Sequence, residues 1–183
     1  NYQPENFDRT FRGDVTVSEA LQHSLNVPAV QALEAVGPKR FAAALTFAGA
    51  PPRLPKDAET DPGLALALGG AGMTVRDIAT IYAALGDNGQ AAPLRWGQND
   101  PQPEPVARLM STASSQRILE ILRTAPSPAG RMPASLTQDA PQIAFKTGTS
   151  YGYRDAWAAG VSRGRAIVVW VGRADGAPRL DAT

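Results

Sequence analysis

The last quarter of the chain carries a strand pattern that ends a long helical stretch, and its first strand runs straight into a polar pentapeptide. From Gln142 onward the apolar residues fall into three runs, 142–149, 155–162 and 165–172, separated by turn residues such as Gly152 and Arg163-Gly164. Arg163-Gly164 is the length of a tight hairpin, so the last two runs should pair antiparallel within a meander. The first run, Gln142-Ile143-Ala144-Phe145, leads into Lys146-Thr147-Gly148-Thr149-Ser150. Helices first and strands last is an α+β arrangement, not an alternating α/β one.

The helical signals upstream are local and chemical. Thr16-Val17-Ser18-Glu19 has capping-box spacing and predicts a short helix through Ala20, Leu21 and Ser24. Pro28 can open a second helix in its first turn, running through Val30, Leu33 and Ala35 to Gly37. Pro38 starts a third through Phe41, Leu45 and Phe47, ending at Gly49. Ser24-Leu25-Asn26 should therefore lie in a tight joint between two helices. Pro51 to Pro62 reads as a polar connection and Gly69-Gly70-Ala71-Gly72 as a turn. Thr74 to Asp77 begins the clearest helix, with Val75, Ile78, Ala79, Tyr82 and Leu85 at helical period and Asp87-Asn88-Gly89 as its stop. Residues 90–105 read as loop with one short strand, Val106–Met110 as a strand, and Ser111 as the cap of a helix through Ile118, Leu119 and Leu122.

Composition narrows the chemistry. At 183 residues, 43% hydrophobic and 19% charged, the chain is globular and long enough to bury a core. A net charge of +1 gives no sign of a nucleic-acid partner. With no Cys and one His, disulfides, thiolate nucleophiles and metal sites are not expected, and no cofactor is implied. The longest apolar run near the end, Ala166–Val171, is far shorter than the ~20 residues a membrane span needs. Lysine is scarce: 3 Lys against 15 Arg, so Lys146 stands out as a compact ammonium whose pKa can shift. The chain opens at Asn1 without Met and reads as a segment of something longer.

Lys-Thr-Gly arises by chance in about one chain in twenty-five of this length, and Ser-x-Asn in roughly half. Context adds weight, because one triplet ends a strand and the other joins two helices 122 residues upstream. A solvated strand end is the plain alternative for Lys146, and a bulge for Gly148. His23 precedes Ser24, but neighbours on a helix point about 100° apart, so they do not form a Ser-His pair. Arg154 and Asp155 suit a structural ion pair, and Trp157 and Trp170 suit sheet packing.

Tyr2-Gln3-Pro4-Glu5-Asn6-Phe7, the run from Ala20 to Val30, Ala67-Leu68-Gly69-Gly70, Lys146–Ser150 and Arg154-Asp155-Ala156-Trp157 together resemble class A penicillin-binding proteins, in particular their 1C type. The resemblance covers nearly the whole chain and is weakest from about 90 to 140. It implies a β-lactamase/D,D-transpeptidase-like α+β fold, an antiparallel sheet flanked by helices with an all-helical subdomain. Residues 1–183 would be one partial transpeptidase domain, its first portion missing: 1–140 mainly helical with Ser-x-Asn, 141–175 the meander with Lys-Thr-Gly. The third motif of such enzymes, Ser-x-x-Lys, is absent, since Val36, Arg53 and Ile143 stand three before the only lysines.

The resemblance also assigns roles in acyl transfer from a D-Ala-D-Ala stem peptide or a β-lactam. Ser24 would relay a proton toward the leaving amine, and Asn26 would hydrogen-bond the substrate backbone. Lys146 would supply positive potential at the terminal carboxylate. Thr147 and Gly148 would line the binding strand, Gly148 keeping it bare for an added peptide strand. Thr149 would bind the carboxylate through its hydroxyl and an oxyanion through its N–H. Strict alternation puts Lys146 and Gly148 on one face and Thr149 on the other, so the strand would have to twist or bulge. The resemblance implies a peptidoglycan D,D-transpeptidase of the periplasmic face of the inner membrane. The parent would be anchored by a helix outside this chain and associated with a glycosyltransferase domain, and the isolated chain would be inactive. The alternative is a non-catalytic peptidoglycan- or β-lactam-binding module of the same fold; a hydrolytic β-lactamase is less favoured.

Overall fold

Two capping boxes fix where the first and fourth α-helices begin. A computed structural model of the chain describes residues 4–6, 10–56, 61–95, 97–127, 141–150 and 154–178; Tyr2, Gln3, Phe7 and Gly152 lie outside them. Thr16 accepts from the Glu19 amide at 3.2 Å while the Glu19 carboxylate accepts from the Thr16 amide at 2.8 Å, opening α1, Val17–Gln22. This helix is shorter than its sequence suggests, because Ser24 leaves the helical region entirely. Helix α2, Asn26–Val36, carries Pro28 in its first turn and stops at Gly37 (φ 90°). Helix α3, Pro38–Phe47, starts on its proline.

A short 3₁₀ helix, Leu64–Leu68, was not legible in the sequence, since five apolar residues with no side-chain cap carry no helical signature. It packs on α2. Gly70 lies close against it: a Cβ there would sit 2.8 Å from the Ala65 carbonyl. Helix α4, Val75–Gly86, opens with the Thr74–Asp77 box. Burial would raise the Asp77 carboxyl, but bonds from the Thr74 hydroxyl and amide, with Arg53 at 3.3 Å, outweigh it and hold it below the usual carboxylate value. The expected strand at Val106–Met110 shrinks to β2, Ala107–Arg108, paired with β1, Gln90–Ala91. Pro93 follows β1 closely and has no N–H with which to extend the ladder. Ser111 caps α5, Thr112–Arg123.

The three C-terminal strands are β3, Ala144–Thr149; β4, Asp155–Ser162; and β5, Arg165–Gly172, in the order β3-β4-β5 and antiparallel throughout. Arg163 and Gly164 both have positive φ, 47° and 74°, which is what a two-residue hairpin of matching twist requires. Strand β3 starts two residues later than its apolar run: its ladder begins at Ala144↔Val161, beside the end of β4, and the Gln142 carbonyl accepts instead from Ser162 Oγ at 3.1 Å. Ala144 and Val161 share one face of the sheet and pack on Leu85 of α4 and on Leu119 and Leu122 of α5. Helix α4 comes so close that a Cβ at Gly86 would lie 2.9 Å from the Val161 side chain. Trp157 and Trp170 face each other across β4 and β5 with centroids 6.3 Å apart, as packing residues would. The suggested Arg154–Asp155 ion pair is not formed among the described residues; Asp155 accepts from the Trp170 indole N–H at 2.9 Å instead.

One buried hydroxyl ties the two core helices together. Ser115, with no exposed surface, donates to the Leu85 carbonyl at 2.5 Å, one of the acceptors that the end of α4 leaves without an intrahelical partner. Ser115→Ala should therefore cost about 1–3 kcal/mol of unfolding free energy, because a buried carbonyl loses its donor. Ser114→Ala, at an exposed position on the same helix, should change it by less than about 0.5 kcal/mol. Urea denaturation of both variants checks the contrast.

Candidate active site

The site begins with the way α1 ends. After the last helical residue and His23, the Ser24 amide donates to the Leu21 carbonyl at 3.3 Å and the Leu25 amide to the Ala20 carbonyl at 2.9 Å. This pair of reverse bonds is the Schellman termination, and it places Ser24 in the left-handed region at φ 54°. Glycine usually fills that position; a side chain there costs roughly 1–2 kcal/mol. The hydroxyl is thus carried at a conformational cost, a pattern that favours a functional reading of Ser24.

Two further contacts aim the joint. Gln22 Nε2 donates to the Ile121 carbonyl at 3.2 Å and to Thr124 Oγ1 at 2.9 Å, fixing the end of α1 to the end of α5. Helix α5 in turn packs on β3, so the Ser24 joint is registered to the strand that carries Lys146. The Lys146 ammonium donates to Ser24 Oγ and, at 2.9 Å, to the Thr147 carbonyl. A cleft of about 100 Å³ opens beside them, lined by Leu21, Gln22, Ser24, Ala125, Pro126, Phe145, Lys146 and Thr147. Burial in this cleft lowers the Lys146 pKa below its ordinary value. A lysine so shifted exchanges a proton with a neighbouring hydroxyl more readily than a fully solvated one.

Ser24, Lys146 and Thr147 are brought together at the cleft. Gly148 follows on β3, which has a neighbour strand on one side only among the described residues. A Cβ at Gly148 would meet nothing within 4 Å, so the fold itself does not require a glycine there. Asn26 opens α2, and its carboxamide Nδ2 donates to the Glu5 carbonyl at 2.8 Å. Thr149 is exposed and ends the strand. The ladder runs unbroken from Ala144↔Val161 to Thr149↔Ala156, so the expected bulge is not present and Thr149 stays in register on the face opposite Lys146. His23 is exposed at the end of α1. Asn6 belongs to the Tyr2–Phe7 block of the resemblance, which assigns it no role of its own. Its side chain reaches across 20 residues to the start of α2, and no local spacing rule signals such a contact.

A helix-backed antiparallel sheet, with Ser-x-Asn at a helix joint against Lys-Thr-Gly on its edge strand, defines the D,D-transpeptidase-like fold. The family model described as the penicillin binding protein transpeptidase domain matches residues 2–177, and the chain belongs to that family. Penicillin-binding protein 1C of Escherichia coli (strain K12) is 47% identical over 178 residues, covering 97% of this chain and 22% of that protein. Penicillin-binding protein 4 of Bacillus subtilis (strain 168) is 26% identical over 190 residues, 94% of this chain and 28% of that one. The chain thus spans roughly a quarter of the length of these curated relatives. Among solved structures, the PonA1 protein from Mycobacterium tuberculosis in complex with penicillin V aligns with a TM-score of 0.76 at 24% identity, covering 97% of this chain and 53% of that one. Penicillin-Binding Protein 1A from Haemophilus influenzae aligns with a TM-score of 0.72 at 22% identity, over 96% and 32%.

The left-handed backbone at residue 24 makes a prediction in which the lost hydroxyl cancels. Ser24→Gly and Ser24→Ala both remove it, so their difference reports the backbone alone. Ser24→Gly should be the more stable of the two by about 1 kcal/mol, the reverse of the order at ordinary positions. Thermal denaturation of the pair measures it.

Proposed function

We propose that this chain forms the Ser-x-Asn and Lys-Thr-Gly part of a serine D,D-transpeptidase that cross-links peptidoglycan and is acylated by β-lactams. The observation that carries the reading is the Lys146–Ser24 hydrogen bond beside a strand edge that no other described strand pairs. It supplies both a proton path and a docking edge. In this reading a serine outside these residues attacks the penultimate D-Ala carbonyl of a D-Ala-D-Ala stem peptide. The ester C–O bond forms as the C–N bond breaks; a base outside these residues takes the serine's hydroxyl proton, Lys146 protonates the departing amine through Ser24, and the proton held by that base restores the ammonium. Lys146 also offers positive potential to the terminal carboxylate, and Asn26, whose carboxamide nitrogen is bonded to the Glu5 carbonyl, would hydrogen-bond the substrate backbone on turning to it. Thr147 and Gly148 present the edge on which the peptide adds as a strand. Thr149 contributes its backbone N–H to the oxyanion; its position in the ladder gives less support to a carboxylate contact by its hydroxyl.

The same reading places the protein at the periplasmic face of the inner membrane, held there by sequence outside this chain, with a glycosyltransferase domain as a partner unit. Residues 1–183 then act as one partial transpeptidase domain. None of the three lysines follows a serine by three, so the 183-residue chain alone should form no acyl-enzyme.

Intact mass after benzylpenicillin treatment tests the reading on the protein with its natural flanking sequence. One penicillin adduct is expected, on a serine outside these residues. Gly148→Ala should leave thermal stability within about 0.5 kcal/mol, as its Cβ meets open space. It should slow acylation about tenfold or more, because the methyl intrudes where the ligand strand lies. Acylation at the wild-type rate in Gly148→Ala would remove the docking edge from the mechanism. A folded protein with no adduct would favour a non-catalytic binding module.

A further inference from the structure

Helix α2 begins without a cap of its own. The residue before it, Leu25, is buried and has no side-chain acceptor, so the first free amides of the helix need a partner from elsewhere. That partner is Asn6. Its Oδ1 accepts from the amides of Asn26 at 3.0 Å and Val27 at 3.3 Å. Its Nδ2 donates to the Thr10 carbonyl at 2.7 Å, which fixes which end of the carboxamide faces the helix. The side chain is only 6% exposed, so these bonds form with little competition from water. The grip is mutual: Asn26 Nδ2 donates to the carbonyl of Glu5, the neighbour of Asn6. An upstream segment therefore holds both the backbone and the carboxamide of Asn26, two residues from the Ser24 hydroxyl.

We propose that Asn6 is a positioning residue for the Ser24–Lys146 centre, fixing the start of α2 so that the adjoining Ser24 joint meets the cleft in one arrangement. The proposal rests on the transpeptidase reading. A cap that served stability alone could have been local, a Ser, Asp or Asn at position 25. The sequence instead gives position 25 to the core and takes the cap from a segment that also orients Asn26. Displacing such a group by about an ångström commonly slows chemistry far more than it weakens binding.

The test uses the protein with its natural flanking sequence and a fluorescent penicillin, separating reversible binding from acylation. Asn6→Ala should lower the acylation rate constant about tenfold while the binding constant stays within about twofold. Asn6→Asp keeps an acceptor oxygen toward α2 but loses the donor to the Thr10 carbonyl, so it should recover part of the rate, which a defect of fold alone would not predict. Hydrogen exchange at the Asn26 and Val27 amides should quicken in Asn6→Ala and stay slow in Asn6→Asp. A folded Asn6→Ala that acylates at the wild-type rate overturns the proposal, as does an Asn6→Asp with no better rate than Asn6→Ala. If Asn6→Ala does not fold, Asn6→Asp decides: a rate lowered less than about tenfold supports the proposal, and a rate lowered tenfold with both amides still protected overturns it. Should the wild-type protein form no adduct, the transpeptidase reading fails separately. Unchanged exchange at the two amides in Asn6→Ala would then overturn the placement of α2 by Asn6.

Discussion

A helix that ends on a left-handed serine makes the rest of the site possible. The reverse hydrogen bonds from Ser24 and Leu25 close α1, and they turn the chain so sharply that α2 starts within two residues. The Ser24 hydroxyl is thereby carried on a backbone held by its own hydrogen bonds and not on a loose loop. A glycine would relieve the backbone and, in the proposed reading, forfeit the proton relay. In that reading stability and function are set against each other at this one residue, as at many sites where a side chain sits in a costly conformation.

Around that joint the contacts form a closed circuit. Gln22 fastens α1 to the end of α5, α5 packs on β3, and β3 returns Lys146 to Ser24. On the other side Asn6 and Glu5 hold the first turn of α2. Ser115 then locks α5 to α4, whose Gly86 lets it approach Val161 on the sheet. Each link is a short-range hydrogen bond or a close packing contact, and together they hold two groups that lie 122 residues apart in sequence. The electrostatic result is local: partial burial of the Lys146 ammonium beside the exposed Ser24 hydroxyl lowers its pKa.

What was legible in the sequence follows from how local each cause is. The starts of α1, α4 and α5 were readable because Thr16, Thr74 and Ser111 cap them within three residues. The β4–β5 hairpin was readable because Arg163-Gly164 can adopt its turn. The left-handed state of Ser24 was not, because no pattern distinguishes a serine in a Schellman turn from one in the last helical turn. The 3₁₀ helix at Leu64–Leu68 was missed because its order comes from packing on α2. The contacts of Asn6 with α2 were invisible for the same reason, since Asn26 and Val27 lie 20 and 21 residues downstream. The motif residues stood out through their chemistry and family resemblance, while the regular register that leaves Thr149 on the opposite face from Lys146 appears only once the strands are paired.

The most direct test of the account is the titration of the Lys146 ammonium by NMR. The chain holds three lysines, so its signal can be assigned by its loss in Lys146→Arg. The account predicts a pKa below the ordinary 10.5, so that the neutral amine accumulates at lower pH than in an unfolded chain. It also predicts a change in that value in Ser24→Ala, because the hydroxyl is the group the ammonium meets. Titration at 10.5 with no response to Ser24→Ala would mean that the two groups do not share a cleft in solution, and the proton path built on them would fall.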